Sequence, residues 1–195
     1  GAEYEHFIES WLEKAGGERK VLEAAAGISP REDADGEHGV DPHMWLDPNL
    51  VVTYVENIRD GLIQFDPEGE AVYRSNAEAY IAELQSLDAW IVEQVAQVPP
   101  ERRLLVTNHE ALGYFAERYG FTIAGTIIES FSSGASPSAG QMADLIGQIK
   151  SNGAPAIFLD ASDNESLARQ IAAETGVNVV TDLHLESLTD GAPAA

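Results

Sequence analysis

Cysteine is absent from the 195 residues, which excludes disulfides, thiolate metal sites and cysteine nucleophiles, and leaves the redox compartment open. Basic residues are scarce: 11 Lys and Arg stand against 33 Asp and Glu, for a formal net charge of −22. Nucleic acid is thereby excluded as a partner, because neutralising phosphates takes clustered Lys and Arg. An anionic membrane surface is disfavoured on the same ground, whereas cationic ligands and solubility are favoured. Long apolar runs are missing too. The longest, such as residues 154–159, fall far short of the roughly 20 residues of a membrane span. With 44% hydrophobic and 23% charged residues, the composition is that of a globular chain rather than a disordered acidic tail. The length suits one large domain or two small lobes.

What is present begins with a helical pattern. Tyr4, Phe7, Ile8, Trp11, Leu12 and Ala15 share one face, and Gly16-Gly17 stops them. A short strand is expected at about residues 20–24, followed by an exposed polar loop over residues 29–41 that carries five acids. Asp47-Pro48 then opens a helix to about Gln64, with Asp as the cap and Pro pre-set for the first turn. Asp66-Pro67 opens another, with Glu68 and Glu70 at its positive end. Its apolar positions are Tyr73, Ala77, Tyr80, Leu84, Leu87, Ile91, Val95 and Val98, and Pro99-Pro100 ends it. At 1.5 Å per residue such a helix is about 48 Å long, more than a small domain needs. It reads as a strut between two lobes.

Beyond Pro100 the pattern changes to alternation. Strands are expected at 104–107, 121–128, 156–159 and 177–181, and helices at 110–119, 138–151 and 165–175. That order means a parallel sheet with helices on its faces, in which ligands bind beyond the carboxyl ends of the strands. Asn108, His109, Glu110, Glu129, Ser130, Asp160 and the stretch after Thr181 are the residues so placed.

Of five histidines, His6 reads as a surface or edge residue and His38 as part of the solvated acidic loop. His43 differs. It lies in Asp41-Pro42-His43-Met44-Trp45-Leu46-Asp47-Pro48, where two prolines and a helix cap stiffen the backbone around one imidazole, as a metal ligand requires. His109 follows directly on a parallel strand, where a neighbouring carboxylate can hold the ring. Each alone has an ordinary structural explanation. With a carboxylate after the last strand they make a three-residue site.

The segment 41–48 closely resembles a signature of the substrate-binding proteins of metal-ion ABC importers, the zinc/manganese cluster A-I that includes adhesin lipoproteins. Three further segments are similar to that family: Thr107-Asn108-His109-Glu110-Ala111-Leu112-Gly113-Tyr114-Phe115, the turn Ser136-Pro137-Ser138, and Leu183-His184-Leu185-Glu186-Ser187-Leu188-Thr189-Asp190. The resemblance runs over nearly the whole chain. It implies an α/β fold of two lobes with parallel sheets joined by a long rigid helix: residues 1–65 as the remainder of the N-terminal lobe, 66–98 as the linking helix and 99–195 as the C-terminal lobe. It further implies a metal held by His43 from the first lobe and by His109 and Glu186 from the second. Glu186 stands where the family usually has Asp, so Asp182 and Asp190 remain alternatives, and His184 is an auxiliary ligand or a surface residue. The family also has a further ligand His before the position of Gly1 and a terminal helix after that of Ala195, so truncation at both ends, with an incomplete N-terminal lobe, is expected.

Two imidazoles and one carboxylate suit tetrahedral Zn²⁺, with Mn²⁺ next, since a more oxygen-rich set suits manganese. The function implied is a non-enzymatic, extracytoplasmic carrier, in the periplasm or on the cell surface, that presents its ion to an ABC permease. A monomer is expected, and a lipid anchor stays open. The acidic stretch 32–38 sits where zinc members carry a metal-collecting loop, although with one His a solvated loop is the simpler reading. A zinc hydrolase competes, because three protein ligands and an open position describe catalytic zinc. His109-Glu110 lacks the second His of H-E-x-x-H, however. A surface adhesin is the third possibility, and no motif specifies its partner.

Overall fold

The computed structural model describes residues 6–17, 20–32, 39–131 and 136–186. The chain divides into two compact units, Gly1–Ala96 and Gln97–Ala195. It is an α/β chain with a parallel sheet and a long helix. Among the described residues, no helix is long and apolar enough to cross a membrane.

The first unit begins with helix α1 (His6–Ala15), followed after an irregular stretch by strands β1 (Arg31–Glu32) and β2 (Val40–Asp41). These two pair antiparallel, Arg31 opposite Asp41 and Glu32 opposite Val40. The strand expected at 20–24 does not form. Its segment lies instead along helix α2 (Pro48–Phe65), where the Asn57 amide donates to the carbonyls of Ala24 and Ala26 at 2.8 and 2.9 Å. Lys20 Nζ donates to the Phe65 carbonyl. Gly61 makes room for this, since a Cβ there would stand 2.8 Å from both methyls of Leu22. The Asn57 side chain thus takes carbonyls that a sheet neighbour would otherwise meet. Residues 33–38, with His38, lie outside the described residues, as does Tyr4.

Helix α2 starts as its sequence dictates: Pro48 is the first residue and the Asp47 carboxylate accepts the N–H of Asn49. The second Asp-Pro pair behaves differently. Pro67–Gly69 forms a short 3-10 helix without a side-chain cap, because the Asp66 carboxylate accepts the Tyr73 hydroxyl at 2.6 Å instead. Helix α3 (Glu70–Ala96) follows with 27 residues, about 40 Å. It buries Ala77, Leu84 and Val95, while Tyr80 and Leu87 stay about half exposed.

The second unit is built on a four-stranded sheet in the order β4-β3-β5-β6, with β3 (Leu104–Thr107), β4 (Thr122–Thr126), β5 (Ala156–Asp160) and β6 (Asn178–Leu183). Every pairing is parallel. Helices α4 (Gly113–Tyr119), α5 (Ala139–Asn152) and α6 (Ser166–Thr175) connect them. The core joins Val106, Ile157 and Leu159 of the strands to Leu145 and Ile149 of α5 and Ala168 and Ile171 of α6. Gly125 in β4 has φ +157°, and a Cβ there would meet Leu145 Cδ1 at 2.4 Å. Its missing side chain is what lets α5 lie directly on the strand. Chain order runs outward both ways from the gap between β3 and β5, so the sheet's topological switch point lies there. That is where open parallel sheets bind ligands.

Candidate metal centre

His43 follows β2 and precedes a short 3-10 helix, Met44–Leu46, that leads into α2. Its ring is 1% exposed and Asp41 is 2% exposed. One carboxylate oxygen, Asp41 Oδ1, accepts both the His43 N–H at 3.0 Å and a hydrogen bond from ring Nδ1 at 2.8 Å. Because a carboxylate at Nδ1 makes that nitrogen the donor, Nε2 keeps its lone pair for a metal. Arg31, opposite Asp41 in the β ladder, brings Nε to 3.8 Å from Asp41 Oδ2. Trp45 lies tilted against the imidazole at 5.2 Å between centroids.

In the second unit His109 stands just beyond β3, beside the switch point, and is 3% exposed. The helix expected from Glu110 starts only at Gly113. The His109 carbonyl, which a helix begun at Glu110 would turn toward the Gly113 N–H, accepts the Ala111 N–H at 2.9 Å instead, and the Glu110 N–H donates to the Ser130 carbonyl at 3.0 Å. The Thr107 hydroxyl also donates to the His109 carbonyl, at 2.8 Å. These bonds fix the backbone carrying the ring from both sides.

Glu186 lies in the turn after β6, with Oε1 3.4 Å from His109 Nε2. Two ligands of a tetrahedral zinc ion, each at about 2.0–2.2 Å, lie about 3.4 Å apart. The pair therefore has the spacing that one shared ion requires. Its backbone is anchored by Asp160 Oδ2, which accepts the N–H of Leu185 at 2.6 Å and of Glu186 at 3.3 Å. The other oxygen, Asp160 Oδ1, accepts the N–H and hydroxyl of Ser162. Burial alone would raise the Asp160 carboxyl, but these bonds outweigh it and hold the group below the ordinary carboxylate value.

Among the alternatives, Asp182 is an exposed residue of β6 and His184 is exposed as well. Asp190 lies outside the described residues. His6 opens α1. Sequence reading did not single out Asp41 as the partner of His43, although an acid two residues before a histidine in a Pro-stiffened turn was the available signal. Asp163, whose carboxylate accepts the amide of Asn108 beside His109 at 2.7 Å, was missed altogether, since an acid in a polar turn looks like any other.

Residues 1–194 match the family model described as "Zinc-uptake complex component A periplasmic". The manganese-binding lipoprotein MntA of Halalkalibacterium halodurans is 34% identical over 186 residues, 93% of this chain and 60% of that protein. The iron-binding protein YfeA of Yersinia pestis is 32% identical over 187 residues, again 93% and 60%. The periplasmic zinc-binding protein TroA of Treponema pallidum has a similar structure, with a TM-score of 0.86 at 26% identity over 97% of this chain and 70% of that one. The chain thus spans 60% of the length of MntA and of YfeA.

Proposed function

The chain belongs to the family of zinc-uptake complex component A periplasmic proteins, and on that premise we propose that it captures a divalent transition-metal ion outside the cytoplasm and hands it to the permease of an ABC importer. His43, His109 and Glu186 are the proposed ligands, and zinc is the favoured ion, with manganese next. The observation that carries this reading is the buried His109 imidazole with Glu186 at 3.4 Å. His43 supports it as a second buried imidazole whose Nδ1 is already engaged by a carboxylate. Metal-binding histidines typically donate their other ring N–H to a carboxylate in this way.

Nitrogen-rich ligation favours zinc. Relatives named for manganese, iron and zinc make the choice a matter for measurement. In this reading residues 66–98, with α3 at their centre, act as the link between the lobes 1–65 and 99–195. The protein acts as a carrier, not an enzyme.

Coordination needs neutral imidazole and ionised carboxylate, so protons compete with the ion. Zinc titration against a chromophoric chelator, at about pH 7.5 and about pH 5, therefore gives clearly weaker binding at the lower pH. His109→Ala weakens binding at both. Equal affinity at the two pH values, or in wild type and His109→Ala, contradicts the ligand set.

A further inference from the structure

Three loops meet at the carboxyl edge of the second unit's sheet, following β3, β5 and β6. Two aspartates tie them together. The Asn108 amide, next to His109, donates to Asp163 Oδ1 at 2.7 Å. The other oxygen, Asp163 Oδ2, accepts the N–H of Asp160 at 2.9 Å, and the Asp163 N–H returns to the Asp160 carbonyl at 3.0 Å. From Asp160 the chain of bonds passes through its carboxylate to the N–H groups of Leu185 and Glu186. An unbroken path of hydrogen bonds thus runs from the neighbour of His109, across the switch point, to the backbone of Glu186.

A turn-stabilising role would need less than this. Ser162 alone satisfies Asp160 Oδ1 in the local turn. The second oxygen reaches 25 residues further along the chain, to the segment that carries Glu186. Asp160 is 3% exposed, and the donors just named are neutral N–H and O–H groups. The carboxylate is thus held in place by directional bonds rather than by a cation's diffuse attraction, and such bonds fix position.

Resting on the reading of His109 and Glu186 as metal ligands, we infer that Asp160 and Asp163 are positioning residues: together they set the His109–Glu186 spacing, so metal affinity depends on them although neither supplies a ligand atom. Asparagine at position 160 keeps the shape but has one acceptor oxygen. Whichever way its amide turns, either the Ser162 donors or those of Leu185 and Glu186 face an NH₂ group.

The test uses the whole 195-residue chain and Zn²⁺ alone as the probe, comparing wild type with Asp160→Asn. Zinc affinity falls about 10- to 100-fold, the usual cost of removing a group that orients a metal ligand. In the metal-free protein the Leu185 and Glu186 amides exchange faster, by more than those of Ile157 and Leu159 in β5. The ¹⁵N resonance of His109 Nε2 also shifts as Glu186 moves.

Unchanged zinc affinity overturns the inference. So does faster exchange spread evenly over the sheet, which marks a purely structural role, or an unmoved His109 resonance. If wild type itself takes up no zinc, the metal reading fails separately, and the exchange and His109 measurements still decide whether the aspartates position the pair. Should Asp160→Asn not fold, Asn108→Ala removes one link and carries the same test. A smaller loss of affinity with a shifted His109 resonance supports the inference, and neither change overturns it.

Discussion

Asp160 ends a strand whose other residues are nearly all buried, and it stays ionised there. Desolvation pushes its carboxyl up. The hydroxyl and N–H of Ser162, with the N–H groups of Leu185 and Glu186, outweigh that and bring it below the ordinary value of 3.8. Because the folded value lies below the unfolded one, the stability from these bonds is present in full above pH 3.8 and is lost as pH falls through the folded value. Asp160→Asn, which leaves buried donors facing an NH₂ group, costs about 1–3 kcal/mol at neutral pH. Urea unfolding should show that gap at about pH 7 and a narrower one at about pH 3. A gap of equal size at both would mean that the carboxylate's charge is not what holds the turn. Asp41 works differently: its Oδ1 serves ring and backbone of the same residue, so it orients one imidazole rather than joining two loops.

At the scale of elements, helix α5 depends on a reciprocal cap. The Ser138 hydroxyl accepts the Gln141 N–H while the Gln141 side chain accepts the Ser138 N–H. Ser138→Ala is expected to cost about 1 kcal/mol, seen as a lower midpoint in thermal unfolding; an unchanged midpoint would show the box to be redundant. The Ser138 box was not singled out from the sequence, whereas the Asp47 cap was legible because it needs only local chemistry. Asp47-Pro48 announced α2, and the alternation after Pro100 announced the sheet, since buried parallel strands must be short apolar runs. Legibility ended where a side chain chose a distant partner. Asp66 looked like a cap but bonds Tyr73. The stretch after Lys20 looked like a strand, but Asn57, more than thirty residues away, takes its carbonyls. Glu110 looked like a helix start, but the His109 carbonyl that the first helical bond would use is taken by Ala111 and Thr107. The candidate site followed the same rule. His43 and His109 stood out from their local settings, whereas the Asp160–Asp163 network exists only once three loops are folded together.

At the scale of the molecule, the charge of −22 and the proposed site do different work. A general negative potential concentrates cations near the surface but does not choose among them. In the site we propose, that choice falls to two imidazoles and one of the 33 acids, Glu186. Family membership covers residues 1–194, and the relatives MntA and YfeA extend well beyond the matched part. In the function proposed, this chain binds a divalent transition metal through His43, His109 and Glu186. The most direct test is metal analysis by mass spectrometry of protein purified without chelator, comparing wild type with His43→Ala, His109→Ala and Glu186→Gln. Bound zinc, or manganese, is expected in wild type, with a large loss in each variant. No transition metal in wild type, or the same metal content in all four proteins, would contradict it.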